Sequence, residues 1–485
     1  MTKLSQNNAP LFEALKKYVD ENVYAFHVPG HKHGKGLEEF TEYVGKAIMN
    51  IDVNSMEDLD NLANPIGVIK DAHELAAQAF DADYAYFLIN GTTSGIQAMI
   101  MAATEPGDKI IMPRNAHKSA FSALILAGVV PVYIYPEINE ELDIALGIKA
   151  EQVKDAIITN PDAKAVLMLN PTYYGITSEL KEIIELAHSY NMAVLCDEAH
   201  GSHFYFHPNM PPGGIKLGAD ISAMSIHKTG GSLTQSSLLI SKGNRVEPLI
   251  IKSILNLTQS TSASYVLMAS LDAARKQLAT KGKEMLDKVI YLSKHAREEI
   301  NKIKGIRAIT QDDIKEPFLF DPTKLVINIS RTGMTGYEIM RLLRTEYHVQ
   351  LEMADLSNIM AIISLGDDIE AIDYLVKSLN ELLQEKEGTN EIITGSIVRP
   401  EVIVAPRDAY YGRNRSVPLD MAAGEISAEM IMAYPPGIPM VCPGEKITKD
   451  LIDRVKMLKE QHCQLQGTED PNIDHIKVLG HMYKV

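Results

Sequence analysis

Between residues 84 and 228, short apolar runs that end in polar residues alternate with segments typical of helices. The apolar runs cover residues 84–89, 109–113, 130–134, 165–169, 193–196 and 221–226. Runs of this length that alternate with helices are the pattern of βαβ units. The pattern therefore predicts an α/β fold with a large, doubly wound, mostly parallel sheet, whose ligands bind at the carboxyl ends of the strands.

Polar clusters follow five of the predicted strands. They are Thr92 to Ser94, His117, residues 170–174, Asp197 to His200, and His227 with Lys228. The carboxyl ends of parallel strands meet at one edge of a sheet, so we predict that these clusters form a single site. The turn at residues 90–95 opens a predicted helix over 96–104. A helix amino terminus with free N–H groups can bind phosphate, although Ser and Thr are also ordinary helix caps.

Lys228 follows the buried run directly and is predicted to leave the sheet on a short loop. A buried ammonium group is costly, and a neutral lysine amine is the form that attacks an aldehyde. Asp197, at another strand end, is suited to keep a pyridine nitrogen protonated, with His200 on the same side of the turn. Lys228 could instead cap its strand, and Asp197 the following helix. Together with the phosphate cradle, however, they match the needs of pyridoxal phosphate chemistry.

Composition excludes several other classes of protein. Acidic residues outnumber basic ones by 63 to 47, which disfavours binding to nucleic acid. Three cysteines are too few and too scattered for a disulfide framework or a zinc site. The first residues lack the apolar region of an export signal, and no apolar run reaches roughly 18 residues, so we expect neither export nor a membrane span and predict a cytoplasmic protein.

The chain divides into four predicted parts. They are an N-terminal arm (1–60), a large cofactor-binding domain (61–310), a small α/β domain (311–390) and a C-terminal subdomain (391–485). A polar linker at 384–391 separates the last two, and residues 420–432 are predicted to be helical. The arm carries His27, His31 and His33 in a Pro- and Gly-rich loop. Because no acidic or Cys partner stands at ligand spacing, we expect no metal there, but an arm lying across another subunit or an active-site mouth.

Six segments in order resemble the Orn/Lys/Arg decarboxylase family of fold type I, pyridoxal phosphate-dependent enzymes. They are Phe26-His-Val-Pro-Gly-His-Lys, Asn90-Gly-Thr-Thr-Ser, Pro113-Arg-Asn-Ala-His-Lys-Ser, Asp197-Glu-Ala-His-Gly, Ser225-Ile-His-Lys-Thr-Gly-Gly and Tyr434-Pro-Pro-Gly-Ile-Pro. The resemblance covers essentially the whole chain. Longer members carry an additional N-terminal domain, for which there is no room before Phe26, so the chain is most similar to the short, biosynthetic type that decarboxylates arginine in polyamine synthesis.

The resemblance implies a role for individual residues. Lys228 would bear the cofactor, Asp197 would pair with its ring nitrogen, and His117 would stack on the ring. His200 would lie beside the ring, near its phenolic oxygen. The residues implied for the phosphate are Thr92 or Thr93, Ser94, Ser225, His227 and, from the partner subunit of a homodimer or a higher homo-oligomer, Thr261.

The implied reaction is decarboxylation of a basic L-amino acid, with L-arginine giving agmatine and CO2 ahead of lysine and ornithine. A guanidinium group favours a planar carboxylate that accepts two hydrogen bonds, for which Glu425 is the candidate and Asp52 and Asp58 are rivals. Glu425 could instead be a solvated helix residue. An aminotransferase would use the same cofactor, and Arg331 could be mistaken for its substrate-binding arginine. A non-catalytic regulatory homologue is the remaining alternative.

Overall fold

The computed structural model describes residues 4–384 and 399–480. Its helices are α1 (Pro10–Asp20), α2 (Glu38–Val44), α3 (Lys46–Ile51), α4 (Val68–Ala79), α5 (Gly91–Ala103), α6 (Lys118–Ala127), α7 (Ala150–Thr159), α8 (Leu180–Ser189), α9 (Gly214–Leu217), α10 (Ile226–Thr229), α11 (Pro248–Thr258), α12 (Tyr265–Ile300), α13 (Gly336–Glu346), α14 (Ile369–Gln384), α15 (Pro406–Tyr411) and α16 (Lys449–Glu460).

The strands are β1 (Tyr84–Leu88), β2 (Lys109–Pro113), β3 (Val130–Ile134), β4 (Ile138–Asn139), β5 (Ile144–Ala145), β6 (Ala165–Leu169), β7 (Ala193–Asp197), β8 (Ile221–Met224), β9 (Ser237–Ser241), β10 (Arg307–Ala308), β11 (Lys324–Asn328), β12 (Met353–Ala354), β13 (Asn358–Ile362), β14 (Asn414–Pro418), β15 (Ile431–Ala433), β16 (Ile438–Val441), β17 (Leu465–Gln466) and β18 (His475–Leu479). They fall into two compact units: the first holds Met1–Ala103 and Ala193–Lys288, and the second holds Thr104–Met192 and Val289–Val485.

In the first unit, four strands lie in the order β1-β9-β8-β7. β7 and β8 are parallel, and β9 is antiparallel to both β8 and β1. Two reversals restore the direction, so β1, β7 and β8 end at the same edge. Every residue of β7, β8 and β9 is buried, as expected of strands covered on both faces. Polar residues that follow β1, β7 and β8 therefore share one edge of this unit.

Helix α5 packs very closely against these strands at Gly95. A Cβ atom on Gly95 would lie 2.7 Å from Leu88 Cδ1 and 3.2 Å from the Ala223 side chain, so a larger residue does not fit. The helix begins at Gly91 and not at residue 96 as predicted, because the small residues of this turn already form its first turn. The amino terminus of α5 is thereby brought directly to the end of β1.

In the second unit, three parallel strands lie in the order β6-β2-β3. A separate antiparallel sheet has the order β10-β11-β13-β12, and the C-terminal segment forms the pairs β14-β18 and β16-β15-β17. One apolar core lies between the C-terminal strands and α16, around Ile431, Val441 and Val455. The parallel pairs in both units confirm the predicted α/β fold with a large, mostly parallel sheet.

The predicted helix over residues 420–432 is wrong. Only a short 3-10 turn at Leu419–Met421 forms, and Gly424 has a φ of +87°, which does not continue a helix. The backbone N–H groups that follow donate to distant carbonyls: Ser427 to Glu445, and Ala428 to Lys477. Hydrogen bonds to remote segments replace those of the expected helix.

The domain boundaries drawn from the sequence stay predictions, and the one near residue 390, with most of the 384–391 linker, lies outside the described residues. Among the helices of residues 4–384 and 399–480, none has the length and apolar character needed to cross a bilayer.

Candidate active site

Lys228 lies at the end of β8, on the single helical turn α10 and not on the predicted loop. This turn forms because the Gly230 N–H donates to the Ile226 carbonyl, with the Ile226 side chain buried. Lys228 Nζ lies 2.9 Å from Nε2 of His200, whose side chain is buried. The amine therefore lies within hydrogen-bonding distance of an imidazole at the edge predicted to hold the site.

Asp197 is the last residue of β7 and is only 6% exposed. Its Oδ1 accepts a hydrogen bond from the Ala199 N–H at 3.1 Å. Burial raises the pKa of Asp197, while the Ala199 N–H and the charge on Lys228 oppose that rise. A desolvated carboxylate of this kind is stabilised by a cation brought next to it. The protonated ring nitrogen of a pyridine is such a cation.

Three hydroxyl groups form a buried cluster at the amino terminus of α5. Thr92 Oγ1 lies 2.6 Å from Ser225 Oγ and donates to Ser237 Oγ at 2.8 Å. Thr93, the next residue, is exposed. Thr92 is thus occupied by protein partners, whereas Thr93 is open to a ligand. Ser94 Oγ donates to the Gly91 carbonyl at 2.8 Å.

His227 adjoins Lys228 and has one ring nitrogen committed to the protein. Its Nδ1 lies 2.9 Å from the Ser236 carbonyl, which only accepts, so Nδ1 carries the proton and donates it. Burial lowers the pKa of His227, and the charge on Lys228 lowers it further against the effect of the Ser236 carbonyl. At neutral pH the ring is therefore uncharged, and its Nε2 is an acceptor.

Glu198 is a buried residue to which the sequence assigned no role. It is fully buried, and its carboxylate accepts hydrogen bonds from Tyr205 Oη at 2.6 Å, Ser222 Oγ at 2.5 Å and the Gly214 N–H at 2.8 Å. Adjacent residues of an extended chain point to opposite faces, so Glu198 anchors the strand end from the face opposite Asp197. Its position in the sequence, directly after the aspartate at the end of the strand, was the feature that could have indicated a structural role for Glu198.

His117 belongs to the second unit, where it caps α6. Its Nδ1 accepts a hydrogen bond from the Ser119 N–H at 3.2 Å and lies 2.9 Å from Ser119 Oγ. These contacts fix the orientation of the imidazole at the carboxyl end of β2, the strand that leads into it. The polar residues at this strand end were correctly predicted to precede a helix.

The three residues predicted to bind the substrate side chain lie in different surroundings. In the second unit, Glu425 Oε1 accepts from Arg415 Nη2 at 2.7 Å. In the first unit, Asp52 pairs with His31 Nε2 at 3.1 Å, and Asp58 is exposed. Thr261, predicted to reach the phosphate of a partner subunit, is exposed as well. Each of these assignments stays a prediction.

The residues of the first unit fit pyridoxal phosphate. Lys228 offers an amine for its aldehyde, and buried Asp197 offers a carboxylate for its ring nitrogen. The amino terminus of α5, with exposed Thr93, offers N–H groups and a hydroxyl for its phosphate. Among residues 4–384 and 399–480, no three or more His, Cys, Asp or Glu side chains are grouped in a way that could hold a metal ion.

Comparison with known proteins extends over nearly the whole chain. The family model described as Orn/Lys/Arg decarboxylase, major domain, matches residues 9–371, and that of the C-terminal domain matches residues 389–472. The chain is 42% identical to an arginine decarboxylase of Bacillus subtilis, over 98% of this chain and 99% of that protein. It is 40% identical to an arginine decarboxylase of Bacillus anthracis, over 99% of each.

Among solved structures, a lysine decarboxylase of Francisella novicida superposes with a TM-score of 0.84 at 23% identity, covering 98% of this chain and 82% of that one. This likeness confirms the predicted fold. Together, the extent of the family match and the identity to full-length relatives show that the chain belongs to the Orn/Lys/Arg decarboxylase family.

Proposed function

We propose that the protein decarboxylates L-arginine to agmatine and CO2, with pyridoxal 5'-phosphate as its cofactor, in the polyamine and spermidine biosynthesis of the cytoplasm. The observation that carries the chemistry is the contact of 2.9 Å between Lys228 Nζ and His200 Nε2 in the unit that also holds buried Asp197. The observation that carries the substrate is the 42% identity, over 98% of the chain, to a protein named arginine decarboxylase.

Each proposed site residue contributes a distinct interaction. Lys228 would hold the cofactor through its aldehyde, and Asp197 would keep the ring nitrogen protonated. His117 would cover the face of the ring, and His200 would contact it near its phenolic oxygen. The phosphate is bound by Thr93, Ser94, Ser225 and His227, with Thr92 holding Ser225 in position through the contact of 2.6 Å. When bound, the cofactor supplies the electron sink that makes loss of CO2 from an amino acid possible.

Lys228 and His227 are the two candidates for returning a proton to the substrate Cα. The Lys228 amine can exchange protons with His200, whose Nε2 lies 2.9 Å away. His227 keeps its Nδ1 proton on the Ser236 carbonyl, so it would have to acquire a proton at Nε2 first. The low pKa of His227 makes that form scarce at neutral pH, which favours Lys228 as the donor.

We further propose that the protein acts as a homodimer in which Thr261 reaches the partner's phosphate site. In the N-terminal arm, Tyr24, Phe26 and Tyr43 are 88%, 95% and 92% exposed, and Ile66, which follows the arm, is 79% exposed. Large apolar side chains in this state are the surface expected of a subunit interface. Thr261 is exposed, as a residue that serves a neighbouring copy must be.

Product identification tests the proposed reaction. Purified protein with pyridoxal phosphate is incubated separately with L-arginine, L-lysine and L-ornithine, and CO2 and the amine are measured without a keto acid. Agmatine should be the dominant product. Cadaverine or putrescine would keep the chemistry and overturn the substrate, a requirement for a keto acid would indicate an aminotransferase, and no product from any of the three would favour a non-catalytic regulator.

Substitution of Glu425 tests how the substrate side chain is recognised. Glu425→Gln should raise the Michaelis constant for arginine about tenfold or more and change kcat much less, because a bound guanidinium loses its charged partner. Asp52→Asn and Asp58→Asn are the matched comparisons for the rival assignments. The pairing of Glu425 with Arg415 supplies a further control: Arg415→Gln removes that partner and should leave the Michaelis constant no higher. An unchanged constant in Glu425→Gln would transfer the assignment to whichever rival raises it.

A further inference from the structure

The Tyr-Pro-Pro-Gly motif near residue 434 has no role in the chemistry described above, yet it packs directly on His117. Both belong to the second unit. The Lys118 N–H donates to the Gly437 carbonyl at 2.9 Å, which joins the first residue of α6 to the loop between β15 and β16. His117 is the residue immediately before Lys118 in the chain, so it lies next to this hydrogen bond.

Gly437 lies against the edge of the His117 ring. Its φ is +79°, and a Cβ atom built on it would lie 3.1 Å from both Cδ2 and Nε2 of His117, and 3.1 Å from Tyr434 Cδ2. Such distances are shorter than ordinary carbon contacts, so a side chain here would displace the imidazole or the tyrosine. The opposite edge of the imidazole is held through Nδ1 by the Ser119 N–H. The ring is therefore fixed from both edges.

A buried ion pair holds the other end of the same segment. Arg114 and Glu445 are 5% and 1% exposed, and they form two parallel hydrogen bonds, Nε to Oε1 at 2.9 Å and Nη2 to Oε2 at 2.8 Å. Arg114 Nη1 also donates to the Pro439 carbonyl at 2.6 Å. A bidentate buried pair is geometrically exacting. The loop is thus attached on both sides of His117, at Arg114 and at Lys118.

We propose that residues 434–439 hold the His117 ring in the orientation needed to cover the cofactor, and that Gly437 is the positioning residue of this device. The inference rests on the proposed function, in which His117 covers the ring. Glycine is required at position 437 because a residue without a Cβ atom leaves room for the imidazole, and because glycine adopts a positive φ without strain. The C-terminal segment thereby contributes to cofactor binding through His117, and Gly437 itself does not contact the cofactor.

A double-mutant cycle on the full-length protein tests this proposal. Gly437→Ala, His117→Ala and the double variant are compared with the wild type by titrating cofactor-depleted protein with pyridoxal phosphate, and by the visible circular dichroism of the reloaded protein. Gly437→Ala should weaken cofactor binding roughly tenfold and change the visible signal. In the His117→Ala background the same substitution should change affinity less than about twofold, because contacting residues are coupled.

Gly107→Ala is the matched control, since Gly107 also has a positive φ, +91°, but a Cβ atom there meets nothing within 4 Å. It incurs the backbone strain without the contact and should leave affinity within about twofold of the wild type. Equal losses from Gly437→Ala with and without His117 would overturn the proposal, as would a His117→Ala variant with unaltered affinity and visible signal. Wild-type protein that takes up no pyridoxal phosphate would overturn the proposed function and this inference with it. Normal uptake without decarboxylation would contradict the proposed function alone.

Discussion

Replacing Lys228 by alanine should abolish decarboxylation, with a loss in kcat of about 10^4-fold or more. The variant lacks the amine that is proposed to bond covalently to the cofactor aldehyde and that lies 2.9 Å from His200 Nε2. Initial rates of CO2 release from arginine measure the loss. The visible absorbance of the lysine-bound cofactor should disappear in the same variant.

Two further substitutions separate this chemical role from charge and folding. Lys228→Arg keeps a cation but has no amine that bonds to an aldehyde, so it should be as inactive as the alanine variant. Lys216 is an exposed lysine of the same unit that donates to the Tyr205 carbonyl at 2.7 Å. Lys216→Ala should keep both absorbance and turnover. Near wild-type turnover by Lys228→Ala would exclude the assignment.

Asp197→Asn should lower kcat by about 10²-fold or more while the protein still takes up the cofactor. The asparagine Oδ1 can still accept from the Ala199 N–H, so the backbone geometry is retained. What is lost is the negative charge that is proposed to keep the ring nitrogen protonated. Steady-state rates together with a cofactor titration separate the effect on chemistry from the effect on binding, and an unchanged kcat would refute the proposed role.

Asp197→Asn, which should lower kcat, should raise the stability of the cofactor-free protein. Burial raises the pKa of Asp197 above its ordinary 3.8, so the folded state binds the proton more tightly than the unfolded state does. Its contribution to stability is complete below pH 3.8 and is lost as the pH rises through the raised value. At neutral pH, Asp197→Asn removes a desolvated charge and should raise the Tm. A lower Tm would show that the carboxylate is already stabilised without the cofactor.

The pattern of strands and the identity of the strand-end residues were accessible from the sequence. Apolar runs bounded by Gly, Pro and polar residues predicted β1, β2, β3, β6, β7 and β8 to within two residues. The prediction is simplest for β6, β7 and β8, in which every residue is buried, because a strand covered on both faces consists of consecutive, mainly apolar residues. Family motifs added the roles implied for Lys228 and Asp197, which composition and spacing alone left open.

In the C-terminal segment, the prediction of secondary structure from the local sequence failed. Residues 420–432 have helix-forming side chains, but the N–H groups of Ser427 and Ala428 donate to the backbone carbonyls of two residues outside this range. These are Glu445 and Lys477. Propensity is a small preference per residue, and hydrogen bonds to distant segments override it. The sequence also left open whether Thr92 or Thr93 binds the phosphate. The proposal for Thr93 rests on the contacts of Thr92 with Ser225 and Ser237, more than 130 residues away.

The sequence by itself determined the α/β class and the family, because these depend on local periodicity and on contiguous motifs, and it predicted which residues carry the chemistry. Tertiary structure alone decided which groups contact one another: Lys228 with His200, Glu198 with Tyr205 and Ser222, and Gly437 with the ring of His117. Such contacts join residues of different segments of the chain, and their geometry arises only when the backbone is folded and the side chains are packed.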